Sequence, residues 1–322
     1  MTSSTETGRA YSALLVMPLF FSSNLVMARA VGDAVQPWTL ACLRWALAVL
    51  IILPFSWRAM VTHRKALLAA WERIWILGVL GMWICGAVVY LALSATTATN
   101  ATLIYTASPV LVILIETIVL GKRLPLGRFI GVGLALVGVA IIVLRGDLAA
   151  LTRLDFNPGD LGIAAAAFAW ALYSLVLRHP SLTPLPTLAV FTAIMIAGVI
   201  GLFPFMIWES MALGGFPTAP KAWGWIAALA LFPSVIAFSL YQYGVKTVGP
   251  AITSCFLYLL PPYGVGMAIL GLGESLHAFH IFGSVLVISG LVAATLPPDV
   301  VGIIAKRFKF ARMISSNTSS QA

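Results

Sequence analysis

The 322 residues include 61% hydrophobic and only 9% charged side chains, against about 25% charged in an ordinary soluble domain, so water cannot be the solvent for most of the surface. At about 20 residues per crossing, the length accommodates ten membrane helices and excludes a separate soluble domain, so function must reside between the helices. The formal charge of +9 does not mark a nucleic-acid surface, because most Lys and Arg sit in short loops beside apolar runs.

Apolar runs between punctuating charges, Pro and Gly predict helices near 10–30, 38–57, 74–94, 97–120 and 125–145, then near 160–178, 184–208, 222–245, 249–271 and 277–297. The polar start Met1–Gly8 leads into an apolar stretch without a cleavage site, which reads as a retained first helix. Helix 1 places Phe21 and Asn24 three residues apart, and helix 2 carries Arg44 near its start. Helix 3 sets Trp83, Gly86, Tyr90 and Ser94 at steps of three or four, one face of a regular helix. Helix 4 contributes Tyr105, Ser108 and Pro109, with Glu116 toward its end; helix 5 holds the Gly127 and Gly131 step, which suits close packing within the chain or a dimer contact, and leaves the oligomeric state open. Helix 6 places Trp170 and Tyr173 three apart, helix 8 adds Ser234, Phe238, Tyr241 and Gln242, and helix 9 adds Ser254 and Tyr258 before the pair Pro261 and Pro262. Any one of these aromatic residues serves packing as readily as binding. Together they predict an uncharged, aromatic and amide-bearing lumen suited to an amphipathic small molecule.

Two charges lie at membrane depth in this reading, Arg44 and Glu116. Each is a functional candidate, and each could instead snorkel or tie two helices together. Pro109 should free the carbonyl of Tyr105, and Pro261 and Pro262 those of Leu257 and Tyr258, predicting bends in helices 4 and 9 that act either as hinges or only in packing. Cys42, Cys85 and Cys255 lie in apolar runs without metal-site spacing, and no metal or cofactor is expected.

With the N-terminus in the cytoplasm, the inner segments collect 14 of the 19 Lys and Arg residues, which predicts a multi-pass protein of the plasma membrane, or of the inner membrane in a bacterium, with both termini cytoplasmic. Trp38, Trp57, Trp71, Trp75, Trp208, Trp223 and Trp225 fall at predicted helix ends, where amphipathic rings sit among headgroups. The tail 299–322 alternates basic and apolar residues over part of its length, as a segment resting on an anionic leaflet or a plain disordered tail would.

The chain also matches itself. Pro109, Gly121, Gly131 and Gly138 correspond to Pro261, Gly273, Gly283 and Gly290 at one shift of 152 residues. Five helices per half is an odd number, so the second half crosses in the opposite sense. The turn Gly121-Lys122-Arg123 is cationic on the predicted inside, and Gly273-Glu274 is acidic on the predicted outside. Residues 1–150 and 158–298 are therefore expected to form two inverted five-helix repeats around a central cavity, the recurring construction of secondary transporters.

Ser23-Asn24 in helix 1, Arg44 in helix 2, Gly159-Asp160 through Trp170-Ala171-Leu172-Tyr173 in helix 6, and Leu272-Gly273-Glu274-Ser275-Leu276 before Gly283 and Gly290 resemble the drug/metabolite transporter superfamily. The chain is most similar to its EamA-type ten-helix members and, among these, to the amino-acid exporters of the YddG-like branch. The resemblance implies a basket of helices lining a central cavity, with helices 5 and 10 outside it. It departs at Lys122, which stands where repeat symmetry with Glu274 would place an acid. It implies export of small amphipathic metabolites, chiefly neutral or aromatic amino acids, with a small-molecule substrate and membrane lipid as partners and no nucleic acid. A drug exporter or nucleotide-sugar exchanger of the same superfamily is the alternative. The first would be expected to carry an acid within helix 1, and the second several lumenal cations for phosphate. A membrane-embedded enzyme lacks support, since no H-E-x-x-H motif or paired intramembrane carboxylate is present. With Glu116 as the one acid within the membrane in this reading and no histidine at mid-depth, facilitated diffusion by alternating access is expected.

Overall fold

The structure, a computed structural model, describes residues 4–31, 35–121, 125–155, 157–214, 216–272 and 275–295. Lys122-Arg123, Gly273-Glu274 and the tail 299–322 lie outside the described residues. All regular structure among the described residues is helical. In chain order the long helices are α1 (Ser4–Val31), α2 (Pro37–Thr62), α3 (Trp71–Ala95), α4 (Ala98–Tyr105 and Ser108–Leu120), α5 (Leu126–Val143) and α6 (Pro158–Val176), followed by α7 (Thr187–Leu213), α8 (Pro220–Val248), α9 (Pro250–Leu272) and α10 (Ala278–Thr295). Among the described residues, nine of these are long and apolar enough to cross a membrane. The 28-residue α1 makes the tenth crossing, about 42 Å long at 1.5 Å per residue. The face on which α1 begins is called the near face below, and the opposite one the far face. Trp57 and Trp71 at near-face helix ends, and Trp208 and Trp223 at far-face ends, are exposed, as interfacial rings should be.

The packing repeats under exchange of each helix n of the first half with n+5 of the second. α1 packs on α8 as α6 packs on α3, α1 on α9 as α6 on α4, and α2 on α8 as α7 on α3, while α2–α7, α4–α9 and α5–α10 pair with themselves. The glycines show the two-fold directly. A Cβ on Gly131 would come 2.5 Å from the Gly290 carbonyl oxygen, and one on Gly138 would come 2.6 Å from that of Gly283. Each glycine thus meets the repeat partner of the other, the reciprocal contact that a two-fold axis requires. This close approach seals α5 against α10, and Gly127 likewise faces Ala293 of α10, so the G-x-x-x-G step serves packing within the chain.

Two irregularities also come in repeat pairs. α3 is a π-helix over Val79–Val88, and α8 is one over Ala230–Ala237. In α8 the cause is visible: Pro233 cannot donate to the Leu229 carbonyl, which accepts instead from the Ser234 hydroxyl at 2.8 Å. The second pair lies where bends are predicted, but neither helix simply kinks. α4 stops at Tyr105 and restarts at Ser108, with Pro109 in the first turn of the new segment. α9 passes through a 3-10 turn at Phe256–Leu259, and Pro261 and Pro262 lie in the first turn of the segment that follows. In a first turn the missing proline donor removes no helical hydrogen bond, so proline is at ease there.

The helix ends require one correction to the sequence reading. α7 continues to Leu213, past the predicted end near 208, which brings Glu209 inside a helix, and Asp160 lies in the first turn of α6. Among the described residues, Glu116 is therefore one of three buried helical carboxylates, with Glu209 and Asp160. A charge is a poor stop signal when the opposing helix supplies its partners. The Glu209 carboxylate accepts from Thr39 N at 2.7 Å, Thr39 Oγ1 at 2.8 Å and Trp38 N at 3.2 Å, so it caps the start of α2. Asp160 closes a capping box with Asn157 and accepts from Thr96 Oγ1 and, at 3.2 Å, from Asn100 Nδ2. These two caps tie the far-face ends of α2 to α7 and of α6 to α4.

Candidate substrate site

Between the halves, rings from α1, α2, α6, α7 and α8 converge. Phe238 of α8 is the hub: its centroid lies 5.0 Å from Trp45, 5.3 Å from Phe21, 5.3 Å from Trp170, 6.0 Å from Phe191 and 6.1 Å from Tyr173. Trp170 stacks on Tyr173 at 5.6 Å and tilts over Tyr241 at 4.7 Å. These edge-to-face and offset contacts are the favoured geometries of aromatic pairs. Four polar tips of the cage are satisfied in pairs, whereas the indole N–H groups of Trp45 and Trp170 are buried without a partner. Tyr241 Oη and Ser174 Oγ lie 2.6 Å apart, and Gln242 Nε2 donates to Tyr173 Oη at 2.8 Å. Space for Tyr173 exists because residue 81 is a glycine, where a Cβ would stand 2.8 Å from the ring.

One turn further along α1, a polar group borders the cage. Arg44 is 3% exposed, and its Nη1 donates to Asn24 Oδ1 at 3.0 Å and to Tyr90 Oη at 2.6 Å. Its guanidinium carbon sits 4.6 Å from the centroid of Trp45 and 5.5 Å from that of Tyr90, cation–π contacts that hold the group in place. Arg44 thus neither snorkels to a headgroup nor pairs with an acid among the described residues. The arginine, a buried amide and a phenol form one cluster contributed by α1, α2 and α3.

The remaining sequence candidates divide. Phe21, Asn24, Tyr90, Trp170, Tyr173, Phe238, Tyr241 and Gln242 are brought together in the cage and its polar border. Tyr105 is part-buried at the end of the first α4 segment, packed against the core. Ser108 and Tyr258 are buried at the breaks of α4 and α9 with unpartnered hydroxyls, while Ser254 bonds the Ala251 carbonyl in its own helix. Glu116 is buried in α4 near the near-face end. Trp83 is not part of the cage. Its Nε1 donates to the Gly198 carbonyl at 3.2 Å, and its ring fills the space over Gly201 beside Phe205 of α7. Seven residues separate Trp83 from Tyr90, which a regular helix would bring to one face, but the π-helix takes more residues per turn and turns Trp83 away. Ser94, at the end of the same predicted stripe, is exposed.

Trp45, Phe191 and Ser174 are members of the site beyond the candidates read from sequence. Trp45 adjoins Arg44, so no stripe at helical spacing joins the two, and Phe191 sits in an apolar run without a polar neighbour to single it out. On the near-face side of the cage the helices are clamped. Arg178 Nη1 donates to the Lys246 carbonyl at 2.7 Å, and Lys246 Nζ donates to the Leu185 carbonyl at 2.7 Å. Arg178, Lys246 and Gln242 line a small depression there.

Comparison with known proteins places this geometry in context. The family model described as the EamA-like transporter family matches the chain twice, over residues 8–144 and 157–296. The chain is 28% identical over 293 residues to the uncharacterized transporter YyaM of Bacillus subtilis, covering 88% of this chain and 93% of that protein. It is 24% identical over 301 residues to the aromatic amino acid exporter YddG of Ancylobacter novellus, covering 92% and 99% of the two. A crystal structure at 20% identity superposes with a TM-score of 0.73 over 91% of this chain and 98% of the other, a likeness of fold.

Proposed function

The chain belongs to the EamA-like transporter family, and from that premise we propose that it exports small amphipathic metabolites, chiefly amino acids with aromatic or other neutral side chains, by alternating access. The observation that carries this reading is the cage itself. It is built from both halves, offers ring faces from Phe21, Trp45, Trp170 and Phe238, and carries hydroxyl, amide and guanidinium groups on its border. A substrate with one apolar aromatic end and one polar end matches both parts. The similarity to an aromatic amino acid exporter supports the same substrate class.

Two inverted halves meeting at the cage can rock so that it opens to either face in turn. In this reading the near face is cytoplasmic, by the excess of Lys and Arg on that side, and the clamp of Arg178 and Lys246 on backbone carbonyls is the inner gate. Transport is facilitative: the Asp160 and Glu209 carboxylates are engaged in helix caps, and no carboxylate or histidine contacts the cage among the described residues. Proton-driven carriers place such groups where both faces can reach them in turn. The test is uptake into proteoliposomes against a panel of neutral amino acids, nucleotide sugars and cationic dyes. Saturable transport of aromatic amino acids alone supports the reading. Transport restricted to dyes or nucleotide sugars overturns it in favour of the corresponding exchanger.

A further inference from the structure

Arg44 is buried with half its hydrogen-bonding edge unused. Nη1 is committed to Asn24 and Tyr90, whereas Nε is buried without a partner, and both hydrogen bonds that Arg44 makes among the described residues run through Nη1. The Nε and Nη2 edge is the fork that receives a carboxylate in a bidentate pair. A second donor points to the same place: Trp45 Nε1 is also buried without a partner. The position between them belongs to Gly86 of α3, where a Cβ would stand 3.5 Å from Trp45 Nε1 and 3.9 Å from Arg44 Nη2. A glycine thus keeps a side chain off the spot bordered by the unpartnered Trp45 indole N–H and by the Nη2 end of the Arg44 fork. A buried cation without a counter-ion is strongly unfavourable in a low-dielectric surround, and an arriving anion relieves it.

We propose that Arg44, Trp45 and Gly86 form a carboxylate subsite at the edge of the aromatic cage, and that the cage therefore takes aromatic monocarboxylates with or without an α-amino group. This rests on the amino-acid reading above and sharpens it. One substrate oxygen meets the Arg44 fork and the other meets the Trp45 indole N–H, while the ring packs against Phe21, Trp170 and Phe238, which touch one another in this closed state and part as the halves move. Nothing comparable awaits an ammonium group. Asn24 Oδ1 already accepts from both Arg44 and Tyr90, and no described carboxylate contacts this cluster. Aryl 2-oxo and 2-hydroxy acids should accordingly be substrates, and aryl amines should not.

The experiment is counterflow of labelled phenylalanine, and separately of labelled phenyllactate, in proteoliposomes of the purified full chain. Phenyllactate, phenylpyruvate and phenethylamine serve as competitors. The subsite predicts exchange of both labels, competition by the two acids at concentrations similar to phenylalanine, and no competition by the amine at about tenfold higher concentration. Gly86→Ala adds a methyl at ordinary contact distance from its neighbours, so it should keep the melting temperature in detergent while lowering exchange of both labels about tenfold. Arg44→Lys should fall similarly, because an ammonium keeps the charge but lacks the fork. Competition by phenethylamine equal to that by phenyllactate, or wild-type exchange by Gly86→Ala, overturns the subsite and leaves the amino-acid reading in place. Exchange of phenyllactate without phenylalanine overturns the amino-acid reading and supports the subsite. Absence of both exchanges overturns both.

Discussion

Glu209 shows how a single side chain holds two helices that the inverted halves contribute separately. Its carboxylate accepts two backbone N–H groups and one hydroxyl at the first turn of α2, where the helix dipole favours an anion. Glu209→Ala would leave those donors buried and unmet, at a cost of about 1–3 kcal/mol, and should lower the melting temperature in detergent. Glu209→Gln should lose less, since its amide oxygen still accepts. Equal melting of wild type and Glu209→Ala would show that the cap contributes nothing. In the cage, Phe21 is only half-buried, so Phe21→Ala should leave insertion and melting nearly unchanged while weakening binding of an aromatic substrate about tenfold, the scale of one lost ring contact. Residues at this scale were legible in the sequence where helical spacing holds. Trp170 with Tyr173 and Phe21 with Asn24 sit where their steps place them, but Trp83 does not, because the π-helix of α3 changes the spacing on which the stripe depends. Glu209 escaped because an acid after a long apolar run reads as a helix end until its partner in α2 is known.

At the scale of elements, the helix pair α5–α10 makes a sharp prediction from glycine alone. Gly131 and Gly138 face backbone at distances that admit no Cβ, whereas Gly133, on the same helix, has nothing within 4 Å. Gly138→Ala should destabilise the protein by about 1–3 kcal/mol through overpacking, and Gly133→Ala should be silent. Similar melting temperatures for the two variants would mean that the pair separates freely and that the approach is not needed for the fold. The sequence identified these glycines by their repeat shift. It could not show that Gly131 meets Gly290 rather than its own counterpart Gly283, which follows only once the halves are related by a two-fold. The breaks in α4 and α9 carry a different prediction. Pro109 begins a helical segment beside the buried Ser108, so Pro109→Ala permits α4 to run straight through the break. Turnover should fall several-fold with substrate affinity little changed, because the break matters to the movement and not to the cage. Single-turnover binding measured beside steady-state exchange separates the two, and an affinity loss without a turnover loss would contradict the hinge.

For the whole molecule, ten apolar helices and an odd number per repeat were enough to read the architecture from sequence, since lipid permits few other solutions. The cage was legible only in part: most of its rings were named from sequence, but their closure on one another was not, because they come from five helices and Trp45 and Phe191 join no stripe with a polar neighbour. A carrier with all its described buried carboxylates outside the cage should run downhill in either direction. Exchange at equal substrate concentration under an imposed pH gradient should therefore give no net accumulation, and accumulation that vanishes in Glu116→Gln would instead make Glu116 the coupling group. The most direct test of the central claim, that two inverted halves open one aromatic cage to each face in turn, uses a cysteine in the cage. With Cys42, Cys85 and Cys255 replaced by Ala, a single Phe21→Cys variant is exposed to membrane-impermeant thiol reagent from one side of oriented proteoliposomes at a time. Alternating access predicts labelling from both sides, with saturating phenylalanine protecting the thiol in each case. Labelling from one side only, unchanged by substrate, would contradict it.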